Sequence, residues 1–378
     1  MNPQNEAELA EAIAGATGAL RIAGGGTRDI GPPVAGEVLA TTGLSGVSLY
    51  EPGALTLVVG AGTPLSEVEA VLAGDGQRLA FEPMDHRALL GTEGTPTIGG
   101  VVAANVSGPR RVQAGACRDF LLGVRLVDGT GQIVQNGGRV MKNVTGYDLV
   151  KLMAGAWGTL GVLTELSFKV LAIPETEATL VAEDLDVAAA VAALSTALGS
   201  PYDVTGAAHL GADLSGPART QVRIEGLAGS VAYRQDRLAA LLPGFQPVAA
   251  EASAALWAEI RDVAPFAGRD GAVWRVSVQP SHAPGLTRVL EAAGLAHKAI
   301  YDWGGGLIWI LVPETETAGA TDVREAVAQL GGHATLIRGR ARATVPVFPP
   351  EAPAVAALSR GLRQRFDPRG LLNTGLMG

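Results

Sequence analysis

Apolar and polar positions keep two different rhythms along this chain, and the change falls near Ala172. Before it, short β-branched runs alternate with glycine-rich turns and brief helical patterns. The stretch GALTLVVGAGTPLSEVEAVLAG predicts strand, turn and helix, with Thr63 as the cap, Pro64 in the first turn and Gly74 at the exit. GVLTELSFKVLAIP alternates, which predicts a strand carrying Val162, Thr164, Leu166, Phe168 and Val170 on one face and ending at Pro174.

Beyond Ala172 longer, Ala-rich helices separate well-spaced strands, and the order β-α-β-β-α-β reads twice. The first pass is EATLVAED, DVAAAVAALSTALG, GAAHL, TQVRIEG, VAYRQDRLAALLP and FQPVAA. The second is AVWRVSVQP, APGLTRVLEAAG, HKAIYDWG, GLIWILVP, TDVREAVAQLGG and HATLIRG. Two such split units predict an antiparallel sheet with helices on one face, a separate α+β domain. The Pro-rich hinge VPVFPPEAP then leads to a terminal helix and the tail FDPRGLLNTGLMG, too short for a domain and expected to pack back on the first part. The expected division is 1–172, 173–345 and 346–378, with an α+β fold class.

Composition narrows the partners. The 378 residues are 47% apolar and 17% charged, which fits a globular chain, and the net charge of −8 carries no basic stripe able to track nucleic acid. The acidic start MNPQNEAELAEAI lacks the features of a secretory signal, and no apolar run is long enough for a membrane span. Cys117 is the single cysteine, so neither an internal disulfide nor a cysteine-based metal or iron–sulfur site is expected. These features point to the cytoplasm.

RIAGGGTRDIG places three glycines directly after a short apolar run. A Rossmann loop fails at its third glycine, where Asp29 stands, and a P-loop fails because no Gly-Lys-Ser/Thr occurs. A surface turn remains open for this stretch alone. TPTIGGVVAANVSGPRR and GAWGTLGVLTEL add paired glycines, small residues and open main-chain donors, a pattern suited to a diphosphate held by peptide N–H groups.

Together with RDFLLGVRLVDGTG and GRVMKNVTGYDLVKLMAGAWGTLGVLTELSFKV, these segments resemble the FAD-binding domain of the vanillyl-alcohol-oxidase (PCMH) type. They are more closely similar to the FAD-binding E subunits of bacterial glycolate oxidases. The likeness covers most of the first 172 residues, and FDPRGLLNTG is similar to the family's C-terminal flavin-contacting segment. It implies a two-part PCMH-type FAD-binding domain plus an α+β cap. It also implies that Gly24, Gly25, Gly26 and Thr27 hold the FAD pyrophosphate and that Thr97, Ile98, Gly99 and Gly100 continue the cradle. Asn105, Ser107, Gly108 and Arg111 would lie close to the cofactor, with Gly161 and Val162 meeting its adenine or flavin portion and Asn373 returning from the tail. The glycine-rich loops lack histidine and Cys117 lies beyond GPRR, so FAD is expected to be noncovalent.

Oxidation of a 2-hydroxy acid needs a cation for the carboxylate, a base for the hydroxyl proton and a hydride acceptor. Arg110, Arg111 and Lys142 are candidate cations, each with a solvated surface charge as its plain alternative. Where similar dehydrogenases carry H-x-G-D-G-N beside a metal, this chain reads IYDWGGGLIW. Its histidines, His86, His209, His282, His297 and His333, have no ligand-pair spacing, so no metal site and no catalytic residue is assigned. Trp303 and Trp309 read as core positions of one strand. The resemblance therefore implies an FAD-bearing subunit working beside a catalytic flavoprotein homologue and an iron–sulfur subunit on glycolate, peripheral to a membrane only through that complex. The alternatives are a self-sufficient dehydrogenase using Tyr301 or His86, and a non-catalytic flavin-binding scaffold.

Overall fold

Both faces of strand Val162–Lys169 are buried, and it sits at the centre of an antiparallel five-stranded sheet in a computed structural model that describes residues 1–140, 146–212, 214 and 216–377. The order is Val47–Glu51, Thr56–Gly60, Val162–Lys169, Leu121–Val127, Ile133–Gly137. The single apolar face expected for the central strand does not survive. A register shift opposite Arg125 and Leu126 interrupts the alternation, as a bulge does. Val162 packs with Leu9 and Ile13 of helix Glu6–Gly15, whereas Leu163, Leu166, Phe168 and Val170 join the larger core.

Helix Leu65–Gly74 forms as expected, but with Pro64 at the cap position and no side-chain cap. Thr63 is buried, and its hydroxyl donates to the Gly60 carbonyl at 2.7 Å and accepts from the Gly46 amide at 2.8 Å. Tying two turns together has displaced the capping role.

Strand Leu20–Ala23 pairs in parallel with Glu37–Ala40 in a separate two-stranded sheet. The tail joins it as a short bridge. The Leu20 amide donates to the Leu371 carbonyl at 2.7 Å, and the Asn373 amide to the Leu20 carbonyl at 3.0 Å.

The repeated second pattern folds into an eight-stranded sheet whose neighbours are all antiparallel. Its order is Gln246–Val248, Thr176–Glu183, Arg219–Gly226, Val204–Leu210, Lys298–Asp302, Leu307–Val312, Ala272–Ser277, His333–Arg338. The two units mirror each other across the His209–Tyr301 and Leu210–Ile300 pairs. One face carries helices Val187–Leu198 and Ala228–Leu241 through Leu194, Val231 and Leu238, and helix Ala283–Ala292 through the 2.6 Å Thr287–Tyr301 hydroxyl contact. Helix Ala250–Arg261, which the sequence pattern did not single out, lies on the other face. Its Trp257 indole donates to Thr179 Oγ1 at 2.8 Å, and a Cβ on Gly206 would stand 2.7 Å from that ring. By strand register, Arg223, Glu225, Asp302, Trp309 and Arg275 share this second face. It is the face turned toward the first 172 residues.

Candidate cofactor site and cap interface

Strand Leu20–Ala23 runs directly into Gly24, and the loop that follows borders a cleft of about 1080 Å³ including its mouth. That volume suits a ligand at the upper end of the small-molecule range, which runs to about 1,000 Å³. Gly24, Gly25, Gly26, Thr27, Thr97, Gly99, Gly100, Gly161, Val162 and Asn373 all line it. Among the described residues, the amides of Gly24, Gly25, Gly26 and Thr27 donate to no protein acceptor, which leaves four consecutive N–H groups at the cleft. An anionic diphosphate fits such a set, because peptide N–H groups in a turn form a concave donor nest.

The glycines divide into two kinds. A Cβ on Gly25 would stand 1.6 Å from the Thr95 carbonyl oxygen, and one on Gly99 would stand 2.6 Å from that of Ala61, so these two are bare because protein backbone passes against them. Gly26 has φ +71 and open space where a side chain would go, and it is the glycine that faces outward into the cleft. Thr97 caps helix Ile98–Ala103 by accepting from the Gly100 amide at 3.3 Å.

Other expected contact residues lie elsewhere. Ile98 is in the core. Asn105 Oδ1 accepts from the Arg118 amide at 3.1 Å and Ser107 Oγ from the Cys117 amide at 3.0 Å. Gly108 accepts the Trp303 indole N–H at 3.0 Å. None of these, nor Arg111, borders the cleft; they build the path from the first part to the cap. Lys142 and the rest of the MKNVT segment lie outside the described residues. Arg28, overlooked in the sequence, does line the cleft. Its Nε donates to His86 Nδ1 at 3.3 Å, and its Nη1 would be 3.2 Å from a Cβ on Gly100. The signal was present: it follows the glycines by two residues.

Asn373 closes one wall. Its Oδ1 accepts from the Ile22 amide and its Nδ2 donates to the Trp157 carbonyl, both at 2.8 Å. Asn373→Ala is expected to destabilise the fold by about 1–3 kcal/mol by orphaning both groups. Thermal melts with and without added FAD check it, and an unchanged melt in both would contradict the role.

Where the cap meets the first part, five charges interlock. Arg110 lies against Glu225 (2.7 Å) and Glu82 (3.0 Å), Arg223 against Glu82 (2.9 Å), and Arg78 against Glu225 (2.8 Å). Burial alone would raise both glutamates, but Arg110, Arg223 and Arg78 hold Glu225, and Arg223 with Arg110 hold Glu82, below the usual carboxylate range. Arg110 is therefore a structural cation, 5% exposed, and neither a surface charge nor a free hand for a ligand.

Close by, the sequence expectation for Trp303 is corrected. It belongs to the turn Trp303–Gly305 ahead of strand Leu307–Val312, partly buried, and it carries the Arg111 guanidinium 4.5 Å and the Arg275 guanidinium 5.3 Å from its ring centre. Trp309 does sit in the core, 5% exposed. Asp302 accepts from the Trp303 amide at 2.7 Å, yet burial pushes its carboxyl up to about 7.

The two proposed bases are both engaged. Tyr301 lies on the helix face, bonded to Thr287, with burial pushing its hydroxyl up to about 12. His86 is buried against Arg28, and burial plus that cation push it down to about 3, so it is neutral with Nδ1 already accepting.

Residues 1–137 match the family described as FAD binding domain. The chain is 34% identical to glycolate oxidase subunit GlcE of Escherichia coli (strain K12) over 349 residues, 92% of this chain and 89% of that protein. It is 43% identical over 95 residues to glycolate oxidase subunit GlcD of Bacillus subtilis (strain 168), a span of 25% of this chain and 20% of the relative. Among solved structures, alkyldihydroxyacetonephosphate synthase superposes with a TM-score of 0.71 at 16% identity, covering 99% of this chain and 76% of the other, a likeness of fold alone. Among the described residues no helix is long and apolar enough to cross a membrane. A glycine-loop cleft with unclaimed amides, an FAD binding domain around it and near full-length similarity to GlcE lead to one conclusion: the chain belongs to the GlcE family of FAD-linked oxidoreductase subunits.

Proposed function

We propose that this chain is the FAD-bearing subunit of a complex that oxidises glycolate or a related small 2-hydroxy acid, with FAD bound noncovalently. Its partners in this reading are a catalytic flavoprotein homologue and an iron–sulfur subunit, in the cytoplasm and peripheral to a membrane only through them. The observation that carries the reading is the cleft itself, four free amides in a loop of a chain similar to GlcE along 92% of its length. FAD in that cleft would supply the hydride acceptor. The residues of the chain would then grip the diphosphate through Gly24, Gly25, Gly26 and Thr27, exclude water with Ile22 and Trp157, and close one wall with Asn373. The division into 1–172, 173–345 and 346–378 belongs to the same proposal.

Dependence on partners is supported by the chemistry of the side chains. Tyr301 and His86 are not poised as bases, and the one cysteine, Cys117, is fully buried with its thiol pushed up by burial, unsuited to flavin attachment or to holding a cluster. Helix Pro353–Phe366 buries none of its side chains and exposes Val355, Leu358 and Leu362, an apolar stripe of the kind another subunit covers. One feature favours a self-sufficient dehydrogenase instead: Asp302 lies on the cap face turned toward the first part, where burial pushes its carboxyl up to about 7.

The test is reconstitution of the purified chain with FAD. Acid precipitation is expected to leave all flavin in the supernatant, and anaerobic glycolate or D-lactate to leave it oxidised until partner subunits are added. Rapid bleaching by the isolated chain would refute partner dependence, and loss of that bleaching in Asp302→Asn would identify the group responsible.

A further inference from the structure

Around the glycine loop, acids and arginines are matched in pairs that pass one residue by. Asp29, in the loop itself, pairs with Arg342, and Asp85 pairs with Arg87, both at 2.7 Å. Arg28 stands between these two acids, next to Asp29 in the chain and near Asp85 in space, and has neither. Among the described residues it makes no ion pair. Its hydrogen bonds are two long ones, from Nε to His86 Nδ1 at 3.3 Å and from Nη2 to the Met84 carbonyl at 3.4 Å, and Nη1 donates to no described acceptor.

A partly buried guanidinium without a counter-ion is costly, and an anion that completes the set removes the cost. Arg28 borders the same cleft as the four unspent amides of Gly24, Gly25, Gly26 and Thr27. Burial lowers it to about 10, which leaves it charged at neutral pH. Gly100, also on the cleft, keeps the approach to it clear, because a Cβ there would stand 3.2 Å from Nη1. We infer that Arg28 is the side-chain counter-ion of the FAD diphosphate, adding one full positive charge to a cradle otherwise made of peptide N–H groups. Those groups carry only partial charges, whereas a guanidinium fork matches paired phosphate oxygens in both charge and shape. The identity of the ligand rests on the proposed function; the need for an anion beside Arg28 does not.

FAD, ADP and adenosine, each titrated by calorimetry into the flavin-free full chain, separate the diphosphate from the rest of the cofactor. Arg28→Met is expected to raise the Kd of FAD and of ADP about tenfold or more, the worth of one charge-assisted hydrogen bond, and to leave that of adenosine within about twofold. Arg28→Lys should fall between the two proteins, and added salt should weaken ADP binding more steeply in the parent than in Arg28→Met. Melting of the flavin-free chain separates this role from a structural one. Loss of an uncompensated charge is expected to leave the melting temperature equal or higher, whereas loss of an arginine that serves only the fold would lower it. If Arg28→Met does not fold, Arg28→Gln, which keeps a donor without the charge, takes its place. Unchanged ADP affinity in the folded variants would overturn the inference, as would equal losses for ADP and adenosine. A parent chain that binds ADP through Arg28 but not FAD would defeat the functional reading and leave the anion contact standing, and one that binds neither would defeat both.

Discussion

Glu225→Ala is expected to destabilise the protein by about 3–5 kcal/mol, the usual cost of removing one partner from a buried ion pair. Three guanidiniums depend on this carboxylate. Arg110 donates to it through Nε and Nη2, both at 2.7 Å, Arg78 meets it at 2.8 Å, and Arg223 lies 3.8 Å away. Alanine leaves Glu82 to balance all three, in a setting where Arg223 is 2% exposed and Arg110 is 5%. The expected readout is a fall in melting temperature with the cap loosening from the first part, seen as faster proteolysis between them. The acid limb provides a second readout. Glu225 and Glu82 are held in the folded state below the ordinary value of 4.5. Their contribution is therefore complete above that value and is lost progressively as pH falls below it. Glu225→Ala should flatten this acid limb of the melting-temperature curve. A variant melting within a degree of the parent, with the same acid limb, would remove the network from any account of how the two parts are joined.

Gly25→Ala is the second change with a large expected effect. The added methyl would stand 1.6 Å from the Thr95 carbonyl oxygen and 2.6 Å from its carbon, and neither atom belongs to a side chain that can turn away. Overpacking in a well-fitted interior costs about 1–3 kcal/mol and more where backbone must move. Here the loop itself must shift, and with it the amides of Gly24, Gly26 and Thr27. FAD retained after purification is expected to fall at least tenfold. Gly26→Ala is the matched comparison for the fold: its methyl meets no protein atom, so the fold bears only the positive φ of +71, about 1 kcal/mol for a non-glycine residue, and any FAD it loses is lost to a methyl standing in the cleft and not to a shifted loop. Stoichiometric FAD in Gly25→Ala would mean that this loop does not form the cradle.

Legibility in the sequence followed the range of the interaction. The doubled β-α-β-β-α-β order, the turn after strand Leu20–Ala23 and the return of the tail to that strand were readable, because each is written in a local period or in glycine spacing. Thr63 was misread as a cap because its partners, Gly46 and Gly60, are brought to it by the folding of two turns. Arg110 was read as a candidate ligand cation because nothing nearby in the chain announces Glu225, which lies 115 residues away. Ile98 was placed in the cradle with its neighbours, whereas the helical turn from Ile98 to Gly100 points one residue into the core and the other to the cleft.

By itself the sequence determined the alternation of strands and helices, the two-unit symmetry of the cap, and the bare peptide of the glycine loop that borders the cleft. Those properties depend on residues a few positions apart, whose side-chain volumes and backbone preferences act directly on one another. Tertiary structure alone decided which of three neighbouring glycines faces outward, which arginines are neutralised and which are left to stack on Trp303. Such outcomes depend on strand register and on the docking of one sheet face against distant loops, and a shift of one residue would have exchanged every partner.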